Sequence, residues 1–375
     1  MSAQLFVSMG AAPSTVGLTA AYGWAWNLKF LAAPVIERFG APRQWVVVFE
    51  LLLALAILGV SALAVGTSIA PIAASFLVVG VLAGAHDVAA DAHYMAMLDP
   101  TTQTRLSGIR VAAFRGAMLA AGGGLVVLSG LLDFRFGLSV GAVVMLLLAA
   151  FHFKALFTRD PVARAAPARK APRPSPVETL RTFVAKPRIG ATLAFLALYR
   201  AGDALMLAMN PSFLKSFGFD TAMRGLLQGT LGAFLSAGGA TLGGLYIARR
   251  GLSRTLFPIA VLQSVALLLY VWIAAVPLPT PVIVAVVCAE QLLAGIGTAG
   301  LTIFILRLAR GPHRTTHYAV ATSLMSIATT VLGLGSGFLL EATGFPLYFS
   351  IAFAASVPGV ALAARVRDTY PDESA

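Results

Sequence analysis

The sequence predicts an all-α polytopic membrane protein, two bundles of apolar helices joined by a basic, proline-rich linker. Three observations predict it. The 375-residue chain is 58% hydrophobic and only 11% charged, against about 25% charged in soluble domains. Its apolar residues fall in runs of about 20 or more, the length that crosses roughly 30 Å of hydrocarbon. Its basic residues gather in alternate loops between those runs, the pattern that orients helices in a bilayer. The net charge of +12 therefore reports topology. In a soluble protein it would point to nucleic acid, which is not expected as a partner here.

Taken in order, residues 1–12 are apolar but too short to span, and without a charged start they do not read as a signal peptide. Spans are expected near 15–36, 45–65, 70–97, 106–130 and 136–156. A break follows at 157–188, where Pro161, Pro167, Pro172, Pro174, Pro176 and Pro187 alternate with Arg and Lys. Such a segment buries no core and reads as an extended linker, with one short amphipathic helix near 177–184. Six further spans are expected near 190–214, 222–248, 255–276, 282–306, 316–340 and 345–364.

The domains are thus an N-terminal bundle at 1–156, the linker at 157–188, a C-terminal bundle at 189–365 and a tail at 366–375. Arg38 and Arg43, Arg105, the linker, Arg249, Arg250 and Arg254, then Arg307, Arg310 and Arg314 occupy every second loop, while 66–69 and 276–280 lack basic charge. The positive-inside rule makes the first set, the linker and the C-terminal tail cytoplasmic and leaves Met1 outside. Five spans before the linker, an outside Met1 and the apolar remnant at 5–12 imply a chain short of its first helix, with about 11 spans in place of twelve.

The halves echo each other. Residues 120–138 are Gly-rich and then read Leu-Asp-Phe-Arg-Phe-Gly-Leu; residues 333–349 are Gly-rich and then read Leu-Glu-Ala-Thr-Gly-Phe-Pro-Leu-Tyr-Phe. Each leads into one last apolar run. Two helical halves related by a parallel repeat around a cytoplasmic linker are the signature of the major facilitator fold, with a central cavity between the bundles.

Few ionisable residues lie within the spans, and each costs about 2.5–3.5 kcal/mol to insert. Asp87 and Asp91, in the run Ala-His-Asp-Val-Ala-Ala-Asp-Ala-His, share one helix face a turn apart. They are the candidate proton-coupling pair, with Lys29 or Arg115 as counter-charge. His86 and His93 flank them; His86 is a candidate proton relay or hydrogen-bond partner. Arg115 lies too deep in its span to reach an interface easily, whereas Lys29 has snorkelling as its plain alternative. Tyr199, Arg200 and Asp203 sit mid-span, the last two at i and i+3, so that they either line a path or neutralise one another. Glu290 and Gln291 occupy the helix related by the repeat to that of Asp87. All of these are candidates for a substrate pathway. Glu37 and Arg38, in a loop equivalent to that of Arg249 and Arg250, are a candidate cytoplasmic latch.

Metal and enzyme chemistry fit less well. His86 and Asp87 point about 100° apart on a helix, and His86 and His93 lie about 10 Å apart along it, so one ion cannot hold both. Cys288 is the only cysteine, which leaves no cysteine cluster or intrachain disulfide. No nucleophile motif or phosphate loop is present. A membrane-embedded acyltransferase would gather its groups at one interface; here they spread over both halves. A non-transporting sensor would have no use for buried charge. Neither an enzymatic activity nor a cofactor is expected.

The ordered motifs carry a more specific likeness. Lys29-Phe-Leu-Ala-Ala-Pro34-Val-Ile-Glu37-Arg38, His86-Asp87-Val-Ala-Ala-Asp91-Ala92, Phe114-Arg115-Gly116 and Leu198-Tyr199-Arg200-Ala-Gly202-Asp203-Ala204 resemble stretches of the AmpG-like muropeptide permeases of the major facilitator superfamily. Glu290 and Gly295-Ile-Gly297-Thr298 follow as in that family, and the resemblance spans about Leu5 to Ala364. It implies proton-driven import of anhydro-muropeptides, recovered from the wall, across the bacterial inner membrane, by a monomer whose partners are a small sugar-peptide substrate, protons and the lipid bilayer. It also implies that the family's acidic pair maps onto Asp87 and Asp91. His86, Glu37, Arg200 and His93 replace a Gln, an Asp, a Lys and an aromatic residue of the pattern. Relatives on the same scaffold that carry siderophores or acyl-coenzyme A compounds are the alternative.

Overall fold

A computed structural model describes residues 1–32, 35, 36, 39, 41–64, 68–98, 113, 116–157, 176–311 and 314–370. Regular structure among the described residues is entirely helical. In chain order the α-helices are α1 (Ser2–Ser8), α2 (Pro13–Gly17), α3 (Tyr22–Asn27), α4 (Pro42–Leu63), α5 (Ile69–Met97), α6 (Leu125–Leu131), α7 (Phe134–Phe157), α8 (Pro176–Val184), α9 (Ile189–Leu198), α10 (Ala201–Ser216), α11 (Thr221–Arg224), α12 (Gly232–Arg250), α13 (Leu252–Ala275), α14 (Thr280–Leu308) and α15 (Arg314–Val366). Eight described helical stretches are long and apolar enough to cross a membrane, counting α9 with α10 and α11 with α12 as continuous. α15 joins two helices across Gly344, whose φ of 70° suits a residue without Cβ.

The stretch expected as a first span at 15–36 is not one regular helix. It runs through α2, a 3-10 turn at Leu18–Ala21, α3 and a second 3-10 turn at Lys29–Ala32, so the backbone is wound tightly and repeatedly interrupted. The opposite distortion occurs twice. Leu119–Gly124 before α6 and Gly225–Leu231 between α11 and α12 are π-helical, the wide winding that inserts an extra residue into a helix.

The chain divides into two compact units. Unit 1 is 1–10, 21–172 and 220–230; unit 2 is 11–20, 173–219 and 231–375. The division runs through the continuous helix Thr221–Arg250.

In unit 1, α4 packs against α5 and α7, α3 lies along α5, and α6 packs on α7 and α11. Pro42 opens α4 at a position where a missing N–H costs nothing, and Gln44 Oε1 accepts the Ala41 N–H at 2.9 Å. Val46, Phe49, Ala85 and Ala89 form a core with Ile36. At the other end of α4 the Ser61 hydroxyl donates to the Arg135 carbonyl of α7 at 2.8 Å. α5 has 29 residues, about 43 Å at 1.5 Å per residue, enough to cross a bilayer with some tilt.

In unit 2, α15 packs on α2, α9, α10 and α13, and α12 lies against α14. Gly239 and Gly243 face α14 at i and i+4; a Cβ on Gly243 would meet the Ile296 carbonyl oxygen at 3.0 Å. Small residues at this spacing let helix backbones approach closely in a membrane. The Ser14 N–H donates to Glu341 at 2.8 Å, fastening α2 to the turn of α15. The short helix expected in the linker is present as α8, but the expectation that the linker buries no core fails there: the amphipathic face of α8 places Phe183, fully buried, in the core formed by Phe195, Leu196, Phe304 and Ile305.

Candidate transport site

In unit 1, Lys29 Nζ lies 2.5 Å from Asp87 Oδ2, each side chain about a third exposed. The approach depends on two glycines of α5. A Cβ on Gly80 would sit 3.3 Å from Ala25 Cβ, and one on Gly84 would sit 3.1 Å from Lys29 Cβ. The groove they leave receives α3 and the following 3-10 turn, and delivers Lys29 to the carboxylate one turn beyond Gly84. The ammonium also lies 4.3 Å from the centre of the Trp26 ring, a cation–π contact. Of the two counter-charges open from sequence, the geometry brings Lys29 to Asp87. Asp91 follows one turn later on the same face of α5. Arg115, Glu37 and Arg38 lie outside the described residues.

His86 points elsewhere, toward Glu50 of α4. Glu50 is 1% exposed; its Oε1 lies 2.7 Å from His152 Nδ1 of α7 and 3.5 Å from His86 Nε2. The first distance is a hydrogen bond and the second an electrostatic contact. Neither Glu50 nor His152 stood out in the sequence, where each sits a few turns from a basic loop and reads as an interface residue. The insertion cost that singled out Asp87 applies equally to Glu50.

Unit 2 holds a separate buried network. The α9–α10 helix is interrupted at Arg200, whose φ of −104° and ψ of 16° leave the α region. There Arg200 Nε lies 3.6 Å from Asp203 Oδ2. Gln263 of α13 donates a close hydrogen bond to the same oxygen. The Tyr199 hydroxyl donates to the Gly297 carbonyl of α14 at 3.0 Å. Glu290, 2% exposed, has its Oε2 without a hydrogen-bond partner among the described residues, and Asp203 and Arg200 as electrostatic neighbours. Tyr199, Arg200, Asp203 and Glu290 therefore belong to one network, and Arg200 and Asp203 do face each other. Gln291, next to Glu290, is half-buried. Gln263 was missed from sequence, where one amide in an apolar run carries no charge to draw notice.

At the linker end of unit 2, Lys186 Nζ donates to the Arg310 carbonyl at 3.1 Å, and burial pushes its ammonium below the usual lysine range. The Tyr370 hydroxyl donates to the Pro187 carbonyl at 3.2 Å. Both contacts lie outside the spans and tie linker and tail to the bundle.

Ion pairs and carboxyls inside apolar helices mark functional sites in a membrane, among them paths for ions or solutes. The comparisons agree. Residues 1–305 match the Major Facilitator Superfamily, and the chain belongs to that superfamily. It is 26% identical over 368 residues to the anhydromuropeptide permease of Escherichia coli (strain K12), covering 95% of this chain and 73% of that protein. It is 20% identical to the putative transporter AmpG 4 of Rickettsia conorii (strain Malish 7), covering 90% of this chain and 82% of the other. Among solved structures it is similar to a bacterial homolog of the human lysosomal transporter Spinster, inward-facing and unoccupied, with a TM-score of 0.72, 15% identity and coverage of 100% and 95%. A D-xylose-proton symporter gives 0.69 at 13% identity, covering 96% and 88%. The likeness to AmpG-like permeases read from the motifs accords with these relatives.

Proposed function

We propose that the chain imports anhydro-muropeptides by proton symport across the bacterial inner membrane, working as a monomer with its C-terminus in the cytoplasm. The contact between Lys29 and Asp87 carries the proposal. A carboxylate held by an ammonium inside a helical bundle accepts a proton only by giving up that partner, so protonation of Asp87 frees Lys29 and changes the charge presented to a solute. Asp91, one turn on, is the second coupling carboxyl. Lys29, His86, Arg115, Tyr199, Arg200, Asp203, Glu290 and Gln291 contact the solute or the proton along the pathway, and Glu37 with Arg38 forms a cytoplasmic latch. The substrate class is supported by the similarity to an anhydromuropeptide permease; an anhydro-muropeptide combines sugar hydroxyls, peptide groups and carboxylates. Such ligands suit a path with both cations and hydrogen-bonding side chains.

The test is uptake into reconstituted vesicles under an imposed proton gradient, with a disaccharide-tetrapeptide, a ferric siderophore and an acyl-coenzyme A compound offered separately. Accumulation of the disaccharide-tetrapeptide that an uncoupler collapses is the expected result. Accumulation of only one of the others would move the substrate to the alternative class. Uptake indifferent to the proton gradient would remove symport.

A further inference from the structure

We propose that Glu50, His86 and His152 form a second proton-binding site in unit 1, in which one proton is shared by a carboxylate and two imidazoles. Three helices build it. Glu50 comes from α4, His86 from α5 and His152 from α7, and the same helices pack Val46, Phe49, Ala85, Ala89 and Leu156 into an apolar core. The carboxylate is 1% exposed while the side chains of His86 and His152 are 26% and 31% exposed. The imidazoles therefore border the surface of the protein and the carboxylate is sealed behind them.

The charge balance of such a cluster dictates its chemistry. A buried carboxylate without a counter-charge costs several kcal/mol. Among the described residues the electrostatic partners of Glu50 are the two histidines, with no lysine or arginine among them. The cluster is neutral only when it holds one proton, on Glu50, on His152 or on His86. Other charged groups lie on the surrounding elements. Lys29 is with Asp87, and Arg43 Nη1 donates to the Leu156 carbonyl at 3.4 Å. His93 of α5 interacts electrostatically with Arg43 and His152. Asp91 and Tyr94 of α5 and Lys154 of α7 are each engaged in interactions as well. Although His86 and Asp87 are consecutive, they point about 100° apart, so α5 carries one proton site on each of two faces. Groups that interact this closely titrate as a unit.

The test is the pH titration of 15N-labelled histidine rings by NMR on the full chain in lipid nanodiscs, with signals assigned through His86→Gln and His152→Gln. In the wild type the His86 and His152 signals should move over the same pH interval, with fractional amplitudes that together make one proton. Glu50→Gln, nearly isosteric, should abolish this co-variation, and Asp87→Asn should preserve it. Should Glu50→Gln fail to fold, His152→Gln serves: the His86 amplitude should then rise toward a full proton. Rings that titrate independently in the wild type, that stay unchanged between about pH 5 and 9, or a His86 amplitude indifferent to His152→Gln would overturn the site.

The proposal deepens the transport reading by adding a second coupling proton and rests on it only for that use. The titration needs no substrate. Shared titration in a chain that transports nothing would keep the site and remove the reading; proton-driven uptake with independent histidines would do the reverse.

Discussion

Lys29 and Asp87, 58 positions apart in the chain, meet at 2.5 Å, and the meeting depends on the Gly80–Gly84 groove of α5 as much as on their charges. If the pair couples protons to solute, Lys29→Ala and Asp87→Asn should each lower gradient-driven accumulation at least tenfold, while Asp87→Asn keeps part of the exchange at equal pH. Thermal unfolding of the two single variants and the double variant should give a coupling energy of about 1 kcal/mol or more. Additive single effects would show that the contact is incidental.

Arg200 is the cation that Asp203 and Glu290 share as an electrostatic neighbour. Arg200→Met should leave two buried carboxyls without it and destabilise the protein by on the order of 3 kcal/mol. Adding Asp203→Asn should recover part of that loss. Thermal unfolding in detergent reads both, and an Arg200→Met protein as stable as the wild type would contradict the network.

Gly297 is buried against the side chain of Gln263, which a Cβ there would strike. Gly297→Ala should therefore cost about 1–3 kcal/mol, as overpacking does, and disturb the amide that Gln263 offers to Asp203. Gln263→Ala in the same chain should relieve the clash, so the double variant should be less than additive in unfolding measurements.

How much of this was legible beforehand differs by element. The expected run at 70–97 is α5 at Ile69–Met97, and the expected 45–65 is α4 at Pro42–Leu63, because hydrocarbon thickness sets apolar length directly. The interruption at Arg200 and the tight turns around α3 were not legible, since hydropathy is blind to which carbonyl an N–H chooses. In the site, Asp87 and Lys29 were legible as charges in apolar runs, but their pairing was not, because it depends on where α3 lies along α5. Glu50 and His152 escaped because each lies near an end of its run, where charge looks ordinary, and only packing shows that Glu50 is sealed.

Phe183 anchors α8 in the core of unit 2. Phe183→Ala should cost roughly 3–5 kcal/mol of local packing and release the helix. Trypsin should then cut at Arg181 or Arg188 at least tenfold faster, with the spans still protected. An unchanged cleavage rate would mean that the hydrogen bonds from Lys186 to the Arg310 carbonyl and from Arg188 to the Arg365 carbonyl hold the segment alone.

Topology has its own check. In a chain whose Cys288 has been replaced, a cysteine at Pro277 should react with an impermeant reagent from the periplasm, and one at Gly311 only after the membrane is opened. The reverse pattern would invert the orientation.

The two π-helical stretches bear on how any motif is carried between relatives. A wide turn holds one residue more than an α-turn, so every side chain beyond it is rotated by about 100° relative to an uninterrupted helix. Residues after Gly124 in α6, and after Leu231 in α12, thus face directions that a helical wheel drawn from the start of each span misassigns. Between this chain and a relative wound as plain α-helix there, equal spacing in the alignment is not equal position in the bundle. A correct register for these two helices has to count through the wide turn.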